Sequence, residues 1–356
     1  MLILLISFVV IHLLVTIGFT IAITTWRSKS KPEQPTVSII VAARNEAENL
    51  RFLIPKLLKQ RYPEFEIIIG LDRCSDESVE FLSTFSEPSL KWIDIQEVPT
   101  GWNSKKHALN TAIQSSKGDW LVFTDADCIP NSDLWLNSLS KEMDQGTNII
   151  VGISPYTENG SFLSHLVRFE GFMTFYLYSA FAMLKRPYMA VGRNMAIRKS
   201  YFAYSKGYES IKEIQGGDDD LFVQKSRRTG ISLAIGLTSL VHTKPANRFR
   251  DYMNQKFRHL SVGFHYTRLD TFLLSIYHLL HLLVYLLIAA NLGNTFLLPI
   301  ILFYLFIKFV SYRFVASKIG SGFNYILFPI VDTLYAFMIP IISIGSKLIK
   351  DIEWKN

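Results

Sequence analysis

Two aspartates that follow a short apolar run could hold a divalent metal ion. Asp125 and Asp127 come just after residues 120–123, which have the composition of a buried strand. Side chains at positions i and i+2 of a strand point to the same side. Two carboxylates there supply the hard oxygen ligands that Mg²⁺ and Mn²⁺ prefer, and diphosphate oxygens can complete the coordination. The pattern predicts a Mg²⁺ or Mn²⁺ site at this pair.

Three consecutive aspartates could supply a general base. Asp218, Asp219 and Asp220 follow two glycines and precede a helix-like segment, residues 222–228. A carboxylate whose pKa is tuned by its neighbours can accept a proton during catalysis, and we expect like charges here to raise that pKa. Carboxylates at a helix start are also favoured by the helix dipole. A structural role therefore stays open for one or two of the three.

Polar residues also follow the first two apolar runs of the chain. Residues 37–41 lead into Ala42 and Glu46, and residues 66–70 lead into Asp72. A carboxylate at such a place can accept hydrogen bonds from a nucleotide base or from ribose hydroxyls. It can equally cap a helix or close a turn.

Further residues suit a phosphate or a sugar. Lys105 and Lys106 could balance the charge of a diphosphate, or they could form a solvated helix face. Gly192 permits a close backbone approach, and Asn194 offers an amide for sugar hydroxyls. Arg258 has the planar guanidinium that binds phosphate through two hydrogen bonds.

The apolar runs that carry these residues indicate the fold. Residues 37–41, 66–70, 91–95 and 120–123 are continuous β-branched or apolar runs, and helical patterns separate them. Such runs are typical of a parallel sheet covered on both faces. We predict the doubly wound α/β class, in which ligands bind beyond the carboxyl ends of the strands.

The two ends of the chain are apolar enough to enter a membrane. Residues 1–23 form one candidate span, and residues 272–290, 296–310 and 325–344 form three more. Arg27, Lys29 and Lys31 follow the first span and should lie in the cytoplasm. Because the later spans offer few charges for a substrate path, a transporter is not favoured.

Composition supports the same interpretation. The 356 residues include 37 Lys plus Arg and 30 Asp plus Glu, a net charge of +7. Nucleic acid could explain this excess, but anionic lipid beside apolar helices explains it better, so we expect no nucleic-acid partner. The two cysteines are too few for a disulfide framework or a four-cysteine zinc site.

These patterns divide the chain into five predicted parts. Residues 161–188, rich in aromatics, could be core or a helix in the membrane interface. The parts are a transmembrane helix at 1–26, a basic linker at 27–35, a cytoplasmic catalytic domain at 36–266, a membrane region with about three hydrophobic segments at 267–350, and a tail at 351–356.

Taken in order, the motifs resemble those of the membrane-bound inverting family 2 glycosyltransferases, which include cellulose and hyaluronan synthases and ceramide glucosyltransferases. The resemblance covers residues 36–263 and the flanking helices. It implies a GT-A fold, flanked by N-terminal and C-terminal transmembrane helices, in an integral protein of the cell (inner) membrane. It also implies transfer from a UDP-linked nucleotide-sugar donor to a lipid or glycan acceptor beside membrane lipids.

The resemblance also implies roles for single residues. Asp218 matches the base carboxylate. The predicted donor site comprises Ala42, Glu46, Asp72, Lys105 and Asp125; the predicted metal ligands are Asp125 and Asp127; and the predicted acceptor or diphosphate contacts are Gly192, Asn194, Gln255 and Arg258. Two alternatives remain: a small processive polysaccharide synthase, and a non-catalytic membrane partner that keeps only the fold.

Overall fold

A computed structural model describes residues 2–28, 34–291, 293–294 and 297–346. The predictions that fall on Lys29, Lys31 and the tail at 351–356 lie outside these residues. The described residues form two units. One unit, which carries most of the predicted catalytic residues and is therefore called the catalytic unit, comprises Arg27–Pro155 and Lys185–Lys244. A helical unit comprises the residues up to Trp26, Tyr156–Leu184 and the residues from Pro245 onward.

The elements run in the following order. The helices are α1 Leu2–Thr24, α2 Ala47–Leu58, α3 Ser78–Ser83, α4 Ser104–Gln114, α5 Trp135–Ser140, α6 Phe162–Met183, α7 Lys199–Tyr204, α8 Asp220–Lys225, α9 Phe249–Val262, α10 Arg268–Ala289, α11 Leu298–Ile319 and α12 Phe328–Gly345. The strands are β1 Val37–Ala43, β2 Phe65–Asp72, β3 Leu90–Ile95, β4 Trp120–Phe123, β5 Cys128–Pro130, β6 Ile149–Val151, β7 Met195–Arg198, β8 Ile231–Leu233 and β9 Val241–Thr243.

The catalytic unit contains the predicted mostly parallel sheet. Over the described residues its strand order is β3-β2-β1-β4-β7-β6-β8. β1 pairs in parallel with β2 and β4, and β2 pairs in parallel with β3. Ile39 and Ile40, neighbours on opposite faces of β1, are both fully buried. Burial of both faces explains why the strands are continuous apolar runs.

One antiparallel strand brings a distant segment to the carboxyl edge of the sheet. β7 pairs with β4 in the opposite direction, with Met195 opposite Phe123. The amino end of β7 therefore lies where β4 ends. The 3₁₀ turn Gly192–Asn194, which precedes β7, is thereby placed beside the residues that follow Phe123.

Helix α4 packs directly on the sheet. A Cβ atom at Gly70 in β2 would lie 2.5 Å from the carbonyl oxygen of Ala108, so only glycine permits this approach. Asn103 caps the helix, and its side chain accepts a hydrogen bond from the backbone N–H of Lys106. The packing and the cap fix the first turn of α4, which carries Lys105.

In the helical unit, four of the described helices are long and apolar enough to cross a membrane: α1, α10, α11 and α12. They agree with the predicted spans and are consistent with a membrane protein. Helix α6, which covers the aromatic stretch predicted as core or interface, packs within this unit. Its Tyr176 donates a hydrogen bond of 2.6 Å to the carbonyl of Thr16 in α1.

The four candidate spans bury a group of polar side chains that the sequence analysis did not expect. His12 in α1, His281 in α10, Lys308 in α11 and Asp332 in α12 are all 0% exposed. Lys308 Nζ lies 2.5 Å from Asp332 Oδ2 and 2.7 Å from His281 Nε2. The His12 ring stacks on His281 with centroids 4.8 Å apart. We call these four residues the span cluster.

Candidate active site

The two predicted metal ligands lie in a turn rather than on a strand. β4 ends at Phe123 and β5 begins at Cys128, so Asp125 and Asp127 occupy the connection between them. Strand alternation therefore does not place them on one side, as the sequence analysis assumed. The turn does so instead: one ligand atom from each of Asp125, Asp127 and Cys128 lies within 4.8 Å of the others.

The chemistry of this group fits an oxygen-preferring cation held by the two carboxylates. Asp125 is partly exposed and Asp127 is exposed. Burial and the charges of Asp127 and Asp125 raise the pKa of the Cys128 thiol well above its usual value. Its sulfur lies 3.3 Å from Asp127 Oδ1 and acts as a donor. Asp125 and Asp127 would thus hold Mg²⁺ or Mn²⁺, leaving positions for substrate oxygens.

Lys105 connects the carboxylate turn with the aspartate triplet. Its Nζ lies 3.0 Å from Asp125 Oδ1 and 3.3 Å from Asp218 Oδ2. Burial alone would lower the pKa of Lys105, but Asp125 and Asp218 outweigh it and raise that pKa well above its usual value. The residue is therefore a fixed positive charge between the predicted metal site and the predicted base, not a solvated helix face.

The expected shift of the pKa of Asp218 has the opposite sign in the structure. Burial favours the neutral acid, but the positive charges of Lys105 and Lys106 outweigh it and lower the pKa of Asp218 below its usual value. In the sequence, only the charges of the neighbouring aspartates are apparent. Because the two lysines dominate, Asp218 is held in the ionised form that a proton acceptor needs.

Both carboxylate oxygens of Asp219 accept hydrogen bonds from backbone N–H groups. Asp219 is the N-cap of α8: its Oδ1 accepts from the N–H of Asp220 at 2.8 Å, and its Oδ2 accepts from the N–H of Gly192 at 2.6 Å. Burial and the charge of Asp218 raise the pKa of Asp219. The structural role at the helix start, which the sequence leaves open among the three aspartates, belongs to Asp219.

The predicted donor-binding residues lie where β1 and β2 end. Asp72, the last residue of β2, is fully buried and forms an ion pair of 2.8 Å with Arg73 Nε. Arg44 Nη1 lies 3.9 Å from its other oxygen. Glu46 accepts a hydrogen bond of 2.6 Å from Asn49. Ala42 is buried within β1, so its contribution to a donor site would be through backbone.

The structure uses Asn194 for packing. This fully buried side chain accepts a hydrogen bond of 3.0 Å from Trp135 Nε1. Its Nδ2 donates to the carbonyls of Ile153 at 2.7 Å and Ser239 at 2.8 Å. The donors of the amide are therefore satisfied by the fold, and the predicted contact with sugar hydroxyls has no physical support.

Gln255 and Arg258 lie three residues apart on α9, in the helical unit. Lys256, one of the two residues between them, is buried and forms an ion pair with Glu170 of α6, and Tyr252 packs beside it. These contacts fix α9 on α6. Among the predicted site residues, the structure brings Lys105, Asp125 and Asp218 into contact and places Gln255 and Arg258 in the other unit.

Arg193 is a candidate that the sequence analysis missed. It donates from Nε to Ser154 Oγ at 2.6 Å, and its charge acts on Cys128 in the metal-site turn. The sequence contained a signal for Arg193, because this residue stands between Gly192 and Asn194, which were both predicted site residues. Lys106, for which the sequence leaves open a diphosphate contact or a place on a solvated helix face, is fully buried.

Comparison with known proteins supports the family and the fold. Residues 38–204 match the family described as Glycosyl transferase family 2. Glycosyltransferase AglE of Haloferax volcanii is 24% identical over 233 residues, 63% of this chain and 71% of that protein. A poly-beta-1,6-N-acetyl-D-glucosamine synthase of Staphylococcus epidermidis is 33% identical over 98 residues; the match covers 27% of this chain and only 23% of the synthase.

A solved structure shares the fold over nearly the whole chain. It is the mannosyltransferase PcManGT from Pyrobaculum calidifontis, in complex with GDP-Man and Mn²⁺. Its TM-score is 0.63 at 14% identity, and the likeness covers 97% of each chain. The sheet, the carboxylate turn and the family match lead to one conclusion. This chain carries a glycosyl transferase family 2 domain of the GT-A fold, together with helices that suit a membrane protein.

Proposed function

We propose that this protein transfers a sugar, with inversion, from a nucleotide-sugar donor to a lipid-linked or otherwise amphiphilic acceptor at the cytoplasmic face of the membrane. The observation that carries the proposal is the bridge made by Lys105. It joins Asp125 of the carboxylate turn to Asp218 of the aspartate triplet. A metal site and a proton acceptor at one edge of a GT-A sheet are the parts that a single displacement requires.

The division of labour follows from the charges. A divalent ion on Asp125 and Asp127 would supply Lewis-acid stabilisation of a leaving diphosphate. Lys105 adds a positive charge beside it. Asp218 accepts the proton of the acceptor hydroxyl as that oxygen attacks the anomeric carbon and the bond to the diphosphate breaks. One attack without a protein nucleophile inverts the anomeric configuration.

Two alternatives make different products. A processive synthase would yield polymer, and a non-catalytic partner would yield nothing. Membranes containing the protein should be incubated with radiolabelled UDP-sugars and GDP-mannose, and lipid-soluble products separated from polymer. Label in the lipid fraction supports the proposal. Label found only in polymer would support the processive synthase. If no donor gives any transfer, the protein is not the proposed enzyme and the non-catalytic partner is supported.

The metal proposal predicts that Asp127→Asn abolishes transfer and leaves the fold intact. Asp127 is exposed, so its removal leaves no buried charge behind. Activity should also be lost in excess EDTA and return with Mn²⁺ or Mg²⁺. Asp133→Asn is the matched control, because Asp133 belongs to a surface ion pair with Arg61, which should contribute little. Full activity in EDTA would contradict the proposal.

The membrane orientation is tested by labelling two introduced cysteines in a Cys74→Ser background. Tyr204 is 84% exposed in the catalytic unit, and Asn294 is exposed between α10 and α11. Tyr204→Cys should react with an impermeant maleimide only in permeabilised cells, whereas Asn294→Cys should react in intact cells. The opposite pattern would place the catalytic unit outside.

A further inference from the structure

Lys106 is buried without touching the predicted reacting groups directly. Its side chain is 0% exposed, although it follows Lys105 on the same helix. Its Nζ donates hydrogen bonds of 2.5 Å to the carbonyl of Ile214 and of 2.5 Å to the carbonyl of Gly216. A lysine ammonium has three donors, so it can hold two carbonyls at once.

The two carbonyls belong to the bend that delivers Asp218. Gly216 and Gly217 have φ values of +78° and +75°, a left-handed conformation that glycine adopts readily. Glycine leaves this bend few side-chain contacts of its own to hold it, since it has no Cβ. The bend must therefore be fixed from outside, and Lys106 lies where it can do so.

Other contacts bind the first turn of α4 to the same segment. The backbone N–H of Asn103 donates to the carbonyl of Lys212 at 2.6 Å, and its Nδ2 donates to Gln215 at 3.2 Å. The Lys212 ammonium lies 5.5 Å from the ring centroid of Trp102. Residues 102–106 thus contact residues 212–216 at several points along both segments. We call this contact the bend clamp.

Resting on the proposed function, we propose that Lys106 is a positioning residue, which fixes the Gly216–Gly217 bend and thereby sets Asp218 against Lys105. The two adjacent lysines then divide one task. Lys105 contacts the carboxylates, and Lys106 holds the backbone that places one of them. Burying an ammonium is costly, and a buried Lys held only by neutral carbonyls would gain little for stability alone. The nearby charge of Asp218 reduces that cost.

The test separates positioning from donor binding. Lys106→Ala should lower kcat by about 10²-fold, because small displacements of a reacting group can have effects of that size. The KM for the donor and the Kd of the nucleoside diphosphate with Mn²⁺ should change less than about threefold. Lys117→Met is the control, since Lys117 is exposed just beyond α4; it should leave kcat unchanged.

Chemical rescue distinguishes this role from a general loss of structure. n-Propylamine supplies the three carbons and the ammonium that Lys106→Ala removes, so it should restore kcat in a saturable manner. n-Propanol should not. If Lys106→Ala does not fold, Asn103→Ala weakens the same clamp and should lower kcat severalfold with KM unchanged. Unchanged kcat in the folded variants, or equal losses in donor binding, overturns the inference. An inactive wild-type protein would instead refute the proposed function.

Discussion

Asp218→Asn is expected to lower kcat by about 10² to 10⁴-fold, the usual worth of general acid–base catalysis. The substitution keeps the shape of the side chain and removes its ability to accept a proton. The Kd of the nucleoside diphosphate with Mn²⁺ should change little, because the predicted metal ligands lie on a different segment, between β4 and β5. Single-turnover transfer and calorimetric binding, both in detergent, measure the two quantities.

Asp219→Asn is the matched control one residue away. Both Asp219 oxygens accept backbone N–H groups, from Asp220 and from Gly192. Losing one of these acceptors should lower the free energy of unfolding by about 0.5 to 2 kcal/mol, as at other helix caps. The effect on kcat should be much smaller than that of Asp218→Asn. If the two effects on kcat came out reversed, the base would be Asp219.

The pH dependence of transfer follows from the charges around Asp218. Lys105 and Lys106 lower its pKa in the folded protein, despite burial. The ionised Asp218 carboxylate therefore adds to the free energy of unfolding at pH values above its unfolded-state pKa. This contribution is lost only as the pH falls through the lower pKa that Asp218 has in the folded protein. Protonation of Asp218 should consequently not limit kcat near neutral pH.

Much of the sheet could be predicted because its strands carry their own signal. The runs at 37–41, 66–70 and 120–123 are mostly buried on both faces, so continuous apolar composition identifies them. The run at 91–95 lies in the edge strand β3 and is only partly buried. The later strands β5, β6, β8 and β9 have only three residues each. Three residues establish no period, and their pairing depends on partners far along the chain.

The missed features of the site depend on contacts between distant segments. Lys105 and Asp218 are over a hundred positions apart, so no local pattern shows that a lysine overrides the neighbouring aspartates. Asn194 stands in a motif that suits a sugar contact, yet Trp135 and two carbonyls satisfy it. Sequence spacing identified the chemical types, and tertiary packing decided which of them are available to a ligand.

The span cluster was missed for a similar reason. A lysine within an apolar run, such as Lys308, is usually interpreted as the edge of a span, and Asp332 as a break. In the structure they pair, and Tyr285 also donates to Asp332. Charges inside a membrane are rare and face partners in the bundle interior. A balanced pair of this kind indicates a role in selecting how the four spans pack.

Lys308→Met should therefore destabilise the helical unit strongly. It leaves the Asp332 carboxylate buried without its ammonium partner, and removing one member of a buried pair usually costs about 3 to 5 kcal/mol. The melting temperature in detergent should fall, with early loss of the monodisperse species on size exclusion. Lys318→Met, on the exposed side of the same helix, is the control and should change little.

The double variant Lys308→Met with Asp332→Leu decides whether the pair stabilises or selects the packing. A buried ion pair replaced by apolar side chains of similar volume is often neutral or stabilising, because neither charge then needs desolvation. We expect the double variant to recover most of the lost melting temperature. It should recover transfer less completely, since Tyr285 loses its acceptor Asp332 and His281 loses its partner Lys308. A double variant as unstable as the sum of its single changes would show that the pair contributes nothing as a pair.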